Sequence, residues 1–177
     1  MVNLDFHGIP DSYPGMLFEV KLRVTRPLLG QQRMPNGVRS FTRIRGDDNR
    51  ISVDLQHWCW AFQEAVSSLH LPVLTTTLYP ASGFAVPTLV MYNRKWSTKT
   101  ADGRERPQSE MFEAIQAGTI LTFQIMSAAG PDKSDGPAPT CEQLQALLNF
   151  IGEFIGISQW GNKFGYGRFR VESIRAL

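Results

Sequence analysis

The last third of the chain, residues 140–177, constrains the fold most, because it combines a helix with a defined start, a glycine-broken basic loop and a closing strand. Residues 140–143, Thr-Cys-Glu-Gln, fit a capping box. Apolar residues then recur at helical spacing and predict a helix over 141–156 with one face against a sheet. These residues are Leu144, Leu147, Leu148, Ile151 and Ile155. Phe169, Val171 and Ser173 alternate with charged residues, which predicts a half-buried strand over 166–175.

The loop between this helix and this strand has the composition of a ligand-binding segment. Residues 158–170 place three glycines among aromatic residues and three cations. Glycine lets the backbone approach a ligand closely, aromatic rings stack on bases, and cations pair with phosphate. The alternative is that Gly165, Tyr166 and Gly167 form only a tight turn that enters an edge strand.

A hydrophobic helix that ends in Ile155-Gly156, then a loop, then Gly-Tyr-Gly-Arg-Phe-Arg-Val over 165–171 resembles the C-terminal signature of the RAMP superfamily of CRISPR-associated RNA-binding proteins. In that family the glycine-rich loop lies between the second helix and the last strand of a ferredoxin-like or RRM-like fold and contacts RNA. The resemblance covers residues 147–174. It implies the same fold here, RNA contact by this loop, and self-association or a protein partner.

The rest of the chain agrees with that fold. A length of 177 residues, 42% hydrophobic and 19% charged, suits one domain over 1–177. Periodicity and turn residues predict strands at 16–27, 73–80, 86–93 and 119–127, helices at 54–70 and 109–117, a hairpin at 41–53, and a hydrophilic loop at 93–107. Without its insertions this is an α+β chain of β-α-β-β-α-β order, RRM-like or ferredoxin-like, with an inserted β-hairpin and long loops. We also predict an irregular lead-in over 1–15 and a mobile loop over 128–139.

Charge is unevenly distributed although the net charge is only +2. Residues 20–46 contain seven cations and no acid, and further basic stretches cover 94–106 and 163–175. Convergence of these stretches would create a phosphate-binding face; the alternative is three separately solvated faces. The predicted phosphate contacts are Arg23, Arg26, Arg39, Arg43, Arg45, Arg94, Lys95, Lys163, Arg168 and Arg170, with Gly165 and Gly167 giving close approach. The predicted stacking residues are Trp96, Trp160, Phe164 and Tyr166, the alternative for Trp96 being a ring that covers the sheet.

Several functional classes lack support in the sequence. His7, His57 and His70 are isolated, and no metal-ligand spacing, P-loop or dinucleotide fingerprint is present, so we expect no metal and no cofactor. The two cysteines belong to no ligand motif and are expected to be reduced thiols. No apolar run approaches about 18 residues and no signal-peptide pattern is present, so we expect a cytoplasmic protein without membrane contact.

We therefore predict a non-catalytic protein that binds single-stranded nucleic acid, either RNA or DNA. Only the family resemblance favours RNA. The alternative is a protein–protein adaptor or inhibitor of viral or mobile-element origin, whose basic loops contact an acidic partner. A third hypothesis is a metal-independent ribonuclease centred on His57, with Tyr92 or Lys95 as its partner; the alternative for His57 is a surface or packing residue.

Overall fold

The structure is a computed structural model that describes residues 16–44, 47–52, 55–70, 77–80, 84–85, 88–128, 139–158 and 161–177. The predicted lead-in over 1–15 and most of the predicted mobile loop over 128–139 lie outside these ranges. The strands are β1 (Met16–Val24), β2 (Leu28–Leu29), β3 (Gln32–Arg33), β4 (Arg39–Ser40), β5 (Thr42–Ile44), β6 (Asp47–Ser52), β7 (Thr77–Pro80), β8 (Phe84–Ala85), β9 (Leu89–Lys99), β10 (Glu105–Ile115), β11 (Ile120–Ala128) and β12 (Phe169–Ala176). The helices are α1 (Leu55–Ser68), α2 (Cys141–Phe150), which continues into a π-helical turn (Ile151–Ile155), and α3 (Gly161–Phe164).

The central sheet has four antiparallel strands in the order β12-β1-β11-β7. Helix α1 lies between β1 and β7 in the chain, and α2 lies between β11 and β12. Numbered along the chain, the four strands therefore stand in the order 4-1-3-2, with one helix in each half. The predicted β-α-β-β-α-β core and the ferredoxin-like α+β fold class are confirmed.

Both helices pack on this sheet and share its core. Alternate residues of β1, from Phe18 to Val24, are buried under them. The ring of Trp58 on α1 is stacked on Phe62 with 5.6 Å between centroids and lies 5.7 Å from Phe123 of β11. The predicted apolar face of α2 is buried as expected, at Leu144, Leu147, Leu148, Ile151 and Ile155.

The start and the end of α2 are both fixed by local chemistry. The predicted capping box is present: the Gln143 amide donates to Thr140 Oγ1 (3.2 Å), and the Thr140 amide donates to Gln143 Oε1 (2.9 Å). At the other end the π-helical turn lies directly against β12. A Cβ on Gly152 would stand 2.2 Å from the Phe169 carbonyl oxygen, so only glycine allows this approach. The turn thereby brings the end of the helix to the glycine-rich loop.

Two sequence predictions fail between residues 93 and 117. The predicted hydrophilic loop and the predicted short helix are instead parts of one hairpin formed by β9 and β10. The two strands pair without interruption, from Leu89 opposite Ile115 to Lys99 opposite Glu105. Helix-favouring residues such as Met111 and Ala114 gave the wrong indication, because cross-strand pairing outweighs intrinsic propensity. The turn closes where the Thr100 amide donates to the Arg104 carbonyl (2.9 Å).

Strand β10 organises a second sheet in the order β2-β10-β4-β3, with β9 paired to β10 as well. Between residues 30 and 40, β3 and β4 pair with one another, and Arg39 of β4 lies opposite Phe112. The predicted hairpin near residues 41–53 is confirmed as the pair β5 and β6, to which β8 is added; residues 45–46 lie outside the described ranges. The predicted strands at 73–80 and 86–93 are observed from Thr77 and from Leu89, with 73–76 and 86–87 outside the described ranges.

Candidate nucleic-acid interface

The glycine-rich loop is anchored by backbone hydrogen bonds to two other segments. The Gly167 amide donates to the Pro27 carbonyl (2.7 Å), and the amides of Thr25 and Arg26 donate to the Arg168 carbonyl (2.8 and 3.2 Å). On the other side the Ile157 amide donates to the Gly167 carbonyl (3.0 Å). The loop is therefore held between the β1–β2 connection and the segment that follows the π-helical turn.

Glycine is required at position 167 for two reasons. Its φ of +67° is a conformation that other residues rarely adopt. A Cβ there would also stand 3.0 Å from the Ser158 Cβ and 3.1 Å from Leu28 Cδ1. The segment is indeed a tight turn that enters the edge strand β12, as one alternative predicted, and the same turn fixes where the Phe164 and Tyr166 rings lie.

Those two rings meet the hairpin around Arg94. The Arg94 side chain is only 4% exposed. Its guanidinium carbon lies 4.3 Å from the ring centroid of Phe164, 4.7 Å from that of Trp96 and 5.8 Å from that of Tyr166. A guanidinium is attracted to the negative face of an aromatic ring at these distances. Arg94, predicted as a phosphate contact, is thus surrounded by aromatic residues of its own chain.

Tyr92 and Tyr166 form a second contact between the hairpin and the loop. Their hydroxyl oxygens are 3.2 Å apart and their rings meet edge to face, with 5.9 Å between centroids. Burial raises the pKa of Tyr166, the hydrogen bond with Tyr92 raises it further, and Arg94 opposes the shift. The Tyr166 phenol therefore stays protonated at neutral pH and can donate a hydrogen bond but cannot act as a base.

The groups that a ligand can reach lie at the edge of this cluster. Phe164 is 44% exposed, and the Nζ atom of the exposed Lys163 lies 5.5 Å from its ring centroid. Trp96 is half-buried and lies on the same face of β9 as Arg94. We call Trp96, Lys163, Phe164 and Tyr166 the loop–hairpin surface. Lys95 is exposed but lies on the opposite face of the hairpin, because side chains alternate along a strand.

Arg26 and Arg168 lie close to one another beside the glycine-rich loop. Arg168 is partly buried and donates a hydrogen bond to the Glu153 carbonyl of the π-helical turn. Burial, followed by the nearby positive charge of Arg26, lowers the pKa of Arg168. The guanidinium group of Arg168 remains charged at neutral pH, since an arginine titrates far above it. Two neighbouring cations attract an anion, and Arg26 is exposed.

The first and third basic stretches meet where β1 pairs with β12. Arg23 of β1 lies opposite Arg170 of β12. Both arginines donate to Glu172 Oε1: the distance is 2.7 Å from Arg23 Nε and 3.1 Å from Arg170 Nε. The hydrogen bond from Arg23 is the main cause of the lowered pKa of Glu172. This group keeps a net positive charge, but part of it is neutralised within the protein.

The remaining predicted residues are more scattered. Arg39 is partly buried and donates to Glu110 (2.7 Å) and to the Gln31 carbonyl (3.1 Å). Arg43 is exposed on β5, in the separate three-stranded sheet. Arg45, Trp160 and the side chain of His57, which lies in the first turn of α1, are outside what the structure describes.

Sequence reasoning missed one aromatic pair beside the loop. Phe154, in the π-helical turn, is 54% exposed and its ring centroid lies 5.0 Å from that of Phe150. The signal was present in the sequence, because two aromatic residues four apart are neighbours on a helix. The π-helical turn that carries the exposed Phe154 contacts α3.

No protein-family model and no curated protein matches this sequence. A solved structure does: a chain from the cryo-EM structure of the Type III-B Cmr-beta bound to cognate target RNA, with 12% sequence identity and a TM-score of 0.54. The match covers 92% of this chain and 61% of that chain, so this protein spans less than two thirds of the length of its neighbour. At this identity the likeness concerns the fold alone, and it agrees with the fold that the RAMP resemblance implied.

The described part of the chain contains no helix long and apolar enough to cross a membrane. Among the same residues there is also no group of three or more His, Cys, Asp or Glu side chains placed to hold a metal ion.

Proposed function

We propose that this protein binds single-stranded nucleic acid, RNA rather than DNA, without cleaving it. The observation that carries the proposal is the loop–hairpin surface, where an exposed aromatic ring and an exposed ammonium group stand side by side at Phe164 and Lys163. Stacking on such a ring and pairing of phosphate with such a cation are the two interactions by which single strands are held without sequence readout.

Bases would stack on Phe164 and Trp96, while Lys163, Arg26 and Arg168 would attract the backbone. Arg170 and Arg23 extend the positive charge along β12 and β1, since Glu172 neutralises only one of the two. Arg43, Arg45, Lys95 and Trp160 remain predicted contacts that a longer strand would reach. Gly165 and Gly167 would let the strand approach the backbone of the loop.

Two facts favour RNA. The C-terminal segment resembles that of RAMP proteins, and the fold is similar to that of a chain whose complex is described as bound to target RNA. Discrimination would require contacts to the 2′-hydroxyl, the group that distinguishes the two kinds of strand. We include a protein partner and a cytoplasmic location in the proposal.

The test is fluorescence anisotropy with short single-stranded RNA, single-stranded DNA and duplex over a salt series. Phe164→Leu keeps apolar packing but removes the ring, and it should weaken binding by at least about fivefold, since a stacked base contributes about 1–3 kcal/mol. Lys163→Gln should reduce the slope of log K against log salt by about 0.7. Lys99→Gln, the same charge change near the tip of the hairpin, is the matched control and should change the slope less.

A folded wild-type protein that binds no strand at low salt would overturn the proposal and favour the adaptor. Cleavage of the RNA, abolished by His57→Ala, would favour the ribonuclease instead. Equal affinity for RNA and DNA would remove the preference for RNA but leave single-strand binding in place.

A further inference from the structure

Arg94 differs from every other predicted phosphate contact whose side chain the structure describes, because it is buried. Its 4% exposure leaves no room for a phosphate oxygen beside the guanidinium. The free-energy cost of burying a cation is met only where ring faces or opposite charges replace water. Three ring faces lie within 6 Å of the guanidinium carbon, and Glu110 is opposite Arg94 in the strand register. Contacts within the protein therefore compensate for the buried positive charge of Arg94.

The rings around Arg94 come from two different parts of the chain. Trp96 belongs to β9, as Arg94 does, whereas Phe164 and Tyr166 belong to α3 and to the loop that follows it. Tyr92 and Tyr166 form a further side-chain contact across this junction. A flat guanidinium stacks on a ring face, and the compact ammonium of a lysine does not reproduce this contact. Removing the guanidinium would leave Phe164 without one of its partners from the hairpin.

We infer that Arg94 is a positioning residue: it fixes the glycine-rich loop against the β9–β10 hairpin and so determines where Phe164 and Lys163 stand, without itself contacting the bound strand. The consequence for affinity rests on the proposed function. The consequence for the loop does not, because the cluster is formed by this chain alone.

The first experiment measures the loop without nucleic acid. Amide hydrogen exchange reports the Gly167 amide, bonded to Pro27, and the Ile157 amide, bonded to the Gly167 carbonyl. In Arg94→Lys these amides should exchange about tenfold faster, because the positive charge remains but the stacked contacts are lost. Lys95→Gln, on the other face of the same strand, is the matched control and should leave loop exchange unchanged. Unchanged loop exchange in Arg94→Lys would overturn the inference.

The second experiment separates positioning from direct contact. If Arg94 positions the loop, Arg94→Lys weakens strand binding by about tenfold, and Arg94→Gln leaves the salt slope as in the wild type. If Arg94 instead contacts phosphate, Arg94→Lys keeps most of the affinity and Arg94→Gln lowers the slope by about 0.7. The second pattern would overturn the inference.

Amides within the hairpin, such as that of Phe112, show whether each variant is folded, and they should remain protected. If Arg94→Gln does not fold, Trp96→Leu provides the second variant, since it removes one ring from Arg94 without changing the loop itself; its loop exchange should also accelerate. Faster loop exchange in Arg94→Lys, together with a wild type that binds no strand, would refute the proposed function and support the positioning role. Strand binding by the wild type, together with unchanged loop exchange in Arg94→Lys, would support the proposed function and refute the positioning role.

Discussion

Substitution of Gly152 by alanine should destabilise the protein, although the same substitution inside a helix usually stabilises. Alanine is favoured over glycine in a helix interior by about 1 kcal/mol. Here, however, the new Cβ would stand 2.2 Å from the Phe169 carbonyl oxygen and 2.8 Å from Phe169 Cδ2. The first distance is about 1.2 Å shorter than the 3.4 Å of an ordinary contact. Neither the π-helical turn nor β12 can yield easily, since the opposing atom belongs to the backbone of a paired strand.

Overpacking of this kind costs typically 1–3 kcal/mol, and contact with backbone places Gly152→Ala at the upper end, about 3 kcal/mol. After the helical gain of about 1 kcal/mol the expected net loss is about 2 kcal/mol. For a domain of this size that corresponds to a fall in Tm of about 4–8 °C.

The measurement is urea unfolding followed by tryptophan fluorescence, because Trp58 is buried in the core. Ala146→Gly, at an exposed position of α2, serves as the control and should cost only about 1 kcal/mol from helix propensity. A Gly152→Ala protein as stable as the wild type, or more stable, would refute the close approach of helix and strand.

Three further predictions concern the helix cap and two titrating groups. Thr140→Ala should lower the free energy of unfolding by about 1 kcal/mol, because it removes the capping bond to the Gln143 amide, whereas Thr140→Ser should retain most of it. Arg23 lowers the pKa of Glu172 below 4.5, so the ion pair stabilises the fold fully above that pH. This stabilisation is lost as the pH falls through the lowered pKa. Glu172→Gln lacks the titrating carboxylate and should therefore show a smaller fall in Tm on acidification than the wild type. The pKa of Tyr166 is raised above 10.0 in the folded protein. The protonated phenol therefore contributes fully to the free energy of unfolding below pH 10, and this contribution is lost as the pH rises through the raised pKa. Absorbance titration should show one late phenol in the wild type that is missing in Tyr166→Phe.

The sequence predicted the core of the fold because local and long-range signals agree there. The capping box at Thr140 and the apolar spacing from Leu144 to Ile155 specify both where α2 starts and which face it buries. The predicted β-α-β-β-α-β order of elements is compatible with the observed sheet, in which the first and last strands of the core are paired.

The β9–β10 hairpin could not be predicted in the same way, because its stability comes from pairing between strands whose exposed ends are polar. From Ser97 to Pro107 every residue is exposed, so no apolar alternation marks the strands near the tip. The burial of Arg94 was equally hidden: a basic residue beside a tryptophan has the same local sequence whether it faces solvent or a ring from residue 164. Composition selected Arg94, Lys163 and Phe164 as candidates, but it did not indicate that Arg94 is buried while Lys163 and Phe164 are exposed.

The pairing of β1 with β12 has a consequence for folding kinetics. Arg23 and Glu172, in contact across these strands, are 149 positions apart in the chain. Closing so long a segment costs conformational entropy before its contacts compensate for it, and chains with such distant contacts fold slowly. Until β12 docks, one edge of β1 stays open to another chain, and the hydrogen bonds from Thr25 and Arg26 to Arg168 cannot form. The capacity to present Phe164 and Lys163 should therefore appear late in refolding, together with the last pairing of the sheet.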